Sequence, residues 1–218
     1  NRRPIIDYII EKLATIDDID KIIVVTNSKF MSQFRKWRMK LKVNKRINLI
    51  DDLTKDNESR RGAIGDIDFV IEKKSIKDDL LVIGGDNLFD SNLKDFFGFV
   101  KNNKNNPVIG AYNIRNKVDA MKYGVIKLDK ENKVIDFKEK PKNPKSALVA
   151  MCLYYFPKER LRCIKEYLNS KFEKIDATGL YIDWLRRKVP VYAFVFNGYW
   201  YDIGDREFYN QAKQTFVK

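Results

Sequence analysis

The sequence predicts an α/β fold, a doubly wound and mostly parallel sheet flanked by helices, with an antiparallel β elaboration in its second half. Three observations carry this expectation. Over the first hundred residues, short β-branched runs alternate with stretches of helical periodicity, the pattern of βαβ units. The run Leu80-Leu81-Val82-Ile83 is apolar throughout, as a strand buried on both faces must be, and it stops abruptly on Gly84, Gly85 and Asp86. From Val108 onward four strand-like runs follow one another, which argues for antiparallel pairing.

Pro4, Ile5, Ile6, Tyr8, Ile9, Ile10 and Leu13 recur at helical spacing, with the proline near the first turn, where its missing N–H costs no hydrogen bond. Lys21–Thr26 is a β-branched run ending at Asn27 and Ser28 and reads as a strand. Phe30, Phe34, Trp37 and Leu41 return to the helical period. Ile47–Ile50 predicts another strand, Asp51–Arg61 a polar segment and Gly65–Lys74 a helix before the Leu80 strand. Leu93–Val100 predicts the next helix. Strands follow over Val108–Tyr112, Gly124–Leu128, Val134–Phe137 and Leu148–Phe156, with Asp129–Lys133 as a polar hairpin loop. Helices over Lys158–Leu168 and Gly179–Arg187, a strand over Val191–Phe196 and a helix from near Arg206 complete the chain. No repeat or low-complexity linker divides it, so residues 1–218 are expected to form one domain.

Of the 218 residues 44% are hydrophobic, enough to bury a substantial core. The 43 basic and 30 acidic side chains leave a formal charge of +13, which suits phosphates or polyanions as partners. Because the two signs are interspersed and no basic block stands out, nucleic acid is not expected to be a partner. No window of about 18 apolar residues suggests a membrane span, and Asn1-Arg2-Arg3-Pro4 does not open a signal sequence, so a soluble cytoplasmic protein is expected. Cys152 and Cys163 sit in apolar contexts without metal-ligand spacing and read as reduced core residues. Histidine is absent. Histidine-based nucleophile systems and ligands are thereby excluded, and any metal must sit on oxygen, which favours a magnesium-like ion.

Asp86 falls where the Leu80 strand meets solvent, the place where open α/β sheets bind ligands. A loop-capping role is the simpler alternative. Four further pieces accompany it: Arg61-Gly62-Ala63-Ile64-Gly65-Asp66 before a helix, Lys122-Tyr123-Gly124-Val125 opening a strand, Glu139-Lys140-Pro141 closing one, and Tyr199-Trp200-Tyr201-Asp202-Ile203-Gly204 before the last helix. With Gly85-Asp86-Asn87, their identity, order and separation resemble the sugar-phosphate nucleotidyltransferase family, especially the glucose-1-phosphate thymidylyltransferases, over nearly the whole chain. The resemblance implies a Rossmann-like fold of the nucleotide-diphospho-sugar transferase type, with 1–105 as the nucleotide-binding half and 106–218 as the sugar-phosphate-binding half. It also implies a reaction in which a nucleoside triphosphate, dTTP or UTP being favoured, and a sugar 1-phosphate give a nucleotide sugar and pyrophosphate, here for polysaccharide synthesis.

By that resemblance Asp86 and Asp202 hold Mg²⁺, and with Lys140 they form the catalytic set. Lys140 binds the sugar phosphate, Glu139 accepts hydrogen bonds from sugar hydroxyls, Gly124 packs its backbone against the ring, and Gly62 lets the chain pass close to the base or ribose. Tyr123 and Tyr154 complete the substrate-binding set. From the residues alone, Asp202 also fits a helix cap, Glu139 and Lys140 an exposed strand-end pair, and both tyrosines a core or cleft wall. Trp200 is expected to pack beneath the site, and Asp176 and Asp183 to be surface or capping residues.

The chain departs from the family pattern at its start. Relatives open with a strand, a GxGTRL loop and a Pro-Lys pair that cradle the triphosphate, whereas Asn1 to Ile6 align just after those elements. The expectation is that the native protein carries such a segment upstream and that these 218 residues alone have little activity; a non-catalytic or regulatory binding module is the alternative. Cys152 stands where relatives often carry glycine, and Asp51–Arg61 lacks the Gln and Pro that relatives use near the base. Relatives commonly assemble as dimers or tetramers, so a homo-oligomer is a further expectation.

Overall fold

The computed structural model describes residues 3–56, 58–170, 177–204 and 206–216. The first half runs α1 (Ile5–Ala14), β1 (Lys21–Thr26), α2 (Met31–Lys40), β2 (Arg46–Asp51), α3 (Gly62–Lys74), β3 (Leu80–Ile83), β4 (Asn87–Phe89) and α4 (Leu93–Asn102). The second runs β5 (Val108–Asn113), α5 (Lys117–Ala120), β6 (Gly124–Leu128), β7 (Val134–Glu139), β8 (Leu148–Phe156), α6 (Arg162–Asn169), α7 (Thr178–Arg186), β9 (Tyr192–Phe196), β10 (Trp200–Asp202) and α8 (Arg206–Phe216).

The nine-residue β8 organises the sheet. Along one edge it pairs antiparallel with β5, from Val108↔Tyr155 to Asn113↔Leu148. Its other edge is shared: β3 pairs over Leu153–Phe156 and β6 touches at Val149, both antiparallel. β7 extends the sheet beyond β6 as an antiparallel hairpin partner, and β9 lies parallel to β5. β1 and β2 form a separate parallel pair, and β4 and β10 a short antiparallel one. The α/β class stands as expected. The balance of pairing differs from a mostly parallel sheet, because the central β8 takes only antiparallel neighbours and parallel ladders are confined to β1–β2 and β5–β9 among the described strands.

Helices cover both faces, which explains the unbroken apolar run of β8. Val149, Met151 and Leu153 face a core built with Ile9, Ile10 and Leu13 of α1 and with Leu93, Phe96 and Val100 of α4. The alternate residues Tyr154 and Phe156 face a second core containing Ile64 of α3, Ile164 of α6, and Tyr181, Ile182 and Leu185 of α7. In the first core, Phe96 stacks on Phe196 at 5.7 Å and meets Phe194 edge-on at 5.9 Å, so α4 is keyed to β9 by aromatic contacts. Lys12 ties α1 to the end of β4 by donating to the carbonyls of Asp90 (2.8 Å) and Ser91 (3.1 Å). Both cysteines are free. No helix among the described residues is long and apolar enough to cross a membrane.

Two local differences have identifiable causes. The helix expected from Lys158 begins as a 3₁₀ turn over Lys158–Arg160, closed by the Arg160 N–H to Pro157 carbonyl bond at 2.8 Å and capped by the Asp79 carboxylate on the Lys158 N–H at 2.9 Å, and the α-helix proper starts at Arg162. The helix expected from Gly65 starts a turn earlier at Gly62, whose positive φ of 74° lets the loop turn into α3. Phe96 has no exposed surface. Its truncation in Phe96→Ala is expected to lower the unfolding free energy by about 3–5 kcal/mol in urea titrations, the cost of a lost aromatic anchor and the cavity left behind.

Candidate active site

A cleft opens where β3 and β6 part company along the shared edge of β8. Between their two footholds, at Leu153 and Val149, the Gly84 N–H reaches the Cys152 carbonyl at 2.8 Å and the chain turns away into β4. The cleft has a cavity volume of about 150 Å³. Its floor is Ala150, Cys152 and Tyr154, alternate residues on one face of β8. One side comes from Lys122, Tyr123 and Gly124 entering β6 and from Phe137, Glu139 and Lys140 leaving β7. Asn87 of β4, Trp200 and Asp202 of β10, and Thr178 and Gly179 at the start of α7 close the remainder.

Of the residues singled out in the sequence, Tyr123, Gly124, Glu139, Lys140, Tyr154 and Asp202 therefore line one cleft. Asp86 adjoins it in the β3–β4 turn, where its carbonyl accepts the Ile203 N–H at 3.0 Å and its side chain accepts from Asn87 Nδ2 at 3.3 Å. Gly62 lies outside the cleft. It opens α3 next to Arg61, whose Nε donates to the Asp52 carbonyl beyond the carboxyl end of β2. Asp183 sits within α7 and pairs with Arg186 and Arg187, a half-buried ion-pair arrangement and not a helix cap, while Asp176 lies outside the described residues.

The strand pairings hold the carboxylates in place. Asp202 is opposite Asn87 in the β4–β10 ladder, which brings it beside Asp86. Asn87 is fully buried and bridges the two elements, accepting from the Trp200 indole at 2.8 Å through its Oδ1. Trp200, expected beneath the site, is instead a largely buried part of the cleft wall, with its ring 5.2 Å from Tyr123 and 5.6 Å from Tyr112. Tyr154 is buried with its hydroxyl 3.0 Å from Thr178 Oγ1.

Burial and the neighbouring charge of Asp86 push the Asp202 carboxyl up to about 6, with Lys140 pulling the other way. Desolvation likewise raises Glu139, again opposed by Lys140. Burial, then Asp86, pushes the Cys152 thiol up to about 11, so it stays protonated at neutral pH. Two carboxyls crowded together with few cations to balance them form an oxygen-only donor pair. Among the described residues no cluster of three or more acidic, cysteine or histidine side chains accompanies them.

Lys140 carries backbone strain. Its φ is +43°, a left-handed conformation that costs a side-chain-bearing residue about 1 kcal/mol. Its N–H bonded to the Tyr123 carbonyl at 3.0 Å holds it there. Lys122, Asn87, Thr178, Gly179 and the hydrophobic wall of Phe137 were not assigned site roles from the sequence. Of these, only Lys122 and Asn87 fell within quoted motifs, whereas Thr178 and Gly179 look like any helix start.

Because the folded-state value of Asp202 lies above the ordinary 3.8, its ionisation weakens the fold as pH rises through about 6 and costs nothing below about 4. Asp202→Asn is accordingly expected to raise the Tm of the metal-free protein at pH 8, with the gain fading as the pH is lowered toward 4. Differential scanning fluorimetry across that range measures it, and a gain independent of pH would contradict the assignment.

Comparison with known proteins converges on one family. The family model described as nucleotidyl transferase matches residues 1–218. A glucose-1-phosphate adenylyltransferase of Mycoplasma mobile is 30% identical over 142 residues, covering 63% of this chain and 36% of the relative. The bifunctional protein GlmU of Methanocaldococcus jannaschii is 27% identical over 203 residues, covering 93% of this chain and 44% of the relative. The chain thus spans less than half the length of either. In fold it is similar to a Bacillus anthracis protein assigned as a glucose-1-phosphate thymidylyltransferase and crystallised in complex with a sucrose, with a TM-score of 0.76, 18% identity, and coverage of 99% of this chain and 83% of that one. A family match that runs from the first residue to the last, over a mixed α/β sheet whose central fork opens into a cleft lined by Lys122, Glu139, Lys140 and Asp202, establishes that the chain belongs to the nucleotidyl transferase family.

Proposed function

We propose that the protein to which these residues belong transfers a nucleotidyl group from a nucleoside triphosphate to a sugar 1-phosphate and releases pyrophosphate, with dTTP or UTP as the nucleotide. The observation that carries this reading is the convergence of Glu139, Lys140 and Asp202 on one cleft, with Asp86 adjoining. A phosphate oxygen of the sugar 1-phosphate forms a new bond to the α-phosphorus as the bond to the β-phosphate oxygen breaks, and the electron pair leaves with pyrophosphate. Little covalent work falls to the protein, so positioning and charge dominate the barrier.

Lys140 holds the incoming sugar phosphate as a compact point charge at the cleft lip, fixed there by its strained backbone. Glu139, seated beside the backbone of Gly124, accepts hydrogen bonds from the sugar hydroxyls. Tyr123 and Tyr154 wall the ring in, Tyr154 being fixed by its bond to Thr178. Burial and, after it, the charge of Asp86 lift Asp202, and a hard cation would offset both; the donors are oxygen alone, so Asp86 and Asp202 suit Mg²⁺. Bound there, Mg²⁺ supplies neutralisation of phosphate charge. Gly62, in the nucleotide half near the carboxyl ends of β1 and β2, is where the chain lies close to the base or ribose.

Pyrophosphate release by the native-length protein with Mg²⁺, over a grid of dTTP, UTP and ATP against hexose 1-phosphates, tests the reaction. ATP is included because the Mycoplasma mobile relative is an adenylyltransferase. Asp86→Asn is expected to lower kcat about 10²- to 10³-fold, the scale of losing one preorganised electrostatic group, while the fold survives. Unchanged turnover in that variant would sink the metal assignment. A folded protein that binds nucleotide sugar without turning over would favour the non-catalytic module. Lys140→Gly is expected to raise Tm by about 2–4 °C through relief of strain, while raising KM for the sugar 1-phosphate about 10- to 100-fold.

A further inference from the structure

Glu139 ends β7 with its carboxyl pressed against the first turn of α7. A Cβ placed on Gly179 would stand 1.9 Å from Glu139 Oε2, 2.9 Å from its Cδ and 2.9 Å from Phe137 Cε1, distances that real Cβ atoms essentially never show. A Cβ on Gly124 would stand 3.2 Å from the same Oε2 and 2.4 Å from Phe137 Cζ. The carboxyl thus occupies a slot between two positions that lack side chains, one on β6 and one on α7. Gly124 belongs to the family-like motif already described; Gly179 has had no role.

The helix itself gives no reason for glycine at 179. Its φ lies outside the left-handed region, so alanine suits the backbone and would ordinarily favour the helix. The N-cap, Ala177, offers no side-chain hydrogen bond either, and a carboxylate resting on this turn meets the positive end of the helix dipole. Next to Gly179, Thr178 holds the Tyr154 hydroxyl at 3.0 Å, so a single turn of helix fixes two side chains of the cleft wall.

We propose that Gly179 is a positioning residue that seats the Glu139 carboxyl, and that the first turn of α7 thereby sets which sugar 1-phosphate the cleft accepts. The part about the sugar rests on the transferase reading; the seating does not. A methyl group at 179 drives the carboxyl out of its slot and into the space of the sugar, and a misplacement of about 1 Å is enough to cost as much as 10²-fold.

The test is a cycle of Gly179→Ala and Glu139→Ala read by Tm in the native-length protein, with kinetics on Gly179→Ala alone and combined with Glu139→Asp. Gly179→Ala should lower Tm by about 3 °C or more with Glu139 present and by clearly less once Glu139 is alanine, when only the contact with the Phe137 ring remains; an equal loss in both backgrounds overturns the seating. In turnover it should raise KM for the sugar 1-phosphate about tenfold or more while leaving KM for the nucleotide within about twofold. Shortening the carboxylate in Gly179→Ala/Glu139→Asp should recover part of that loss. A stabilising Gly179→Ala in both backgrounds overturns the seating, and an equal rise in both KM values overturns the specificity role. Absence of turnover in the wild type overturns the transferase reading and the sugar assignment with it, while the Tm cycle still decides the seating.

Discussion

The shared edge of β8 is the constraint on which the rest of the molecule depends. A strand edge offers one row of backbone donors and acceptors, and here β3 takes the end of that row at Leu153–Phe156 while β6 takes its beginning at Val149. Two strands that leave one edge in different directions must open a gap between them, and side chains that would otherwise fill a core line a cleft instead. The Lys122–Val125 and Glu139–Pro141 segments reach the cleft through the β6–β7 hairpin, and Asp86 and Asp202 reach it through the β3–β4 turn and β10. The cleft is therefore a product of topology, and its chemistry is a product of which loops flank the fork.

Such a fork needs support from outside the sheet, because its strands cannot brace one another. The two cores supply it from opposite faces, with α1 and α4 on one side and α3, α6 and α7 on the other. The aromatic contacts between Phe96 and β9 fix one side, and the buried Asn87–Trp200 hydrogen bond fixes the short β4–β10 ladder that carries Asp202. A three-residue ladder has little stability of its own. Burying a fully bonded Asn–Trp pair gives it a defined geometry, since any shift would strand polar groups in the core.

Where a strand packs against a core on each face, the sequence is easy to read: β8 and the half-buried β3 show as continuous apolar runs, and the turn at Asp129–Lys133 shows through its polar cluster. Where structure depends on distant partners, the sequence is mute. β4 and β10 are three residues each and too short to display a period, and their pairing joins residues more than a hundred positions apart. The parallel docking of β9 on β5 and the antiparallel majority around β8 belong to the same class, since periodicity reports burial and not direction. The candidate site divides likewise. Asp86, Glu139, Lys140 and Asp202 stand at strand ends and in turns, where polar residues interrupt apolar runs, whereas Thr178 and Gly179 come from a helix start whose relevance arises only when β7 is laid beside it.

The absence of histidine has a consequence for how the molecule exchanges protons with its surroundings. Most proteins of this size buffer between pH 5 and 7 through imidazoles scattered over the surface; here that capacity must come from groups displaced into the window by their environment. Asp202, lifted to about 6 at the cleft, is such a group. Any cation that settles against it expels the proton it holds, so ligand capture near pH 6 carries a heat that varies with the ionisation enthalpy of the buffer, a signal that originates in the cleft against a quiet background.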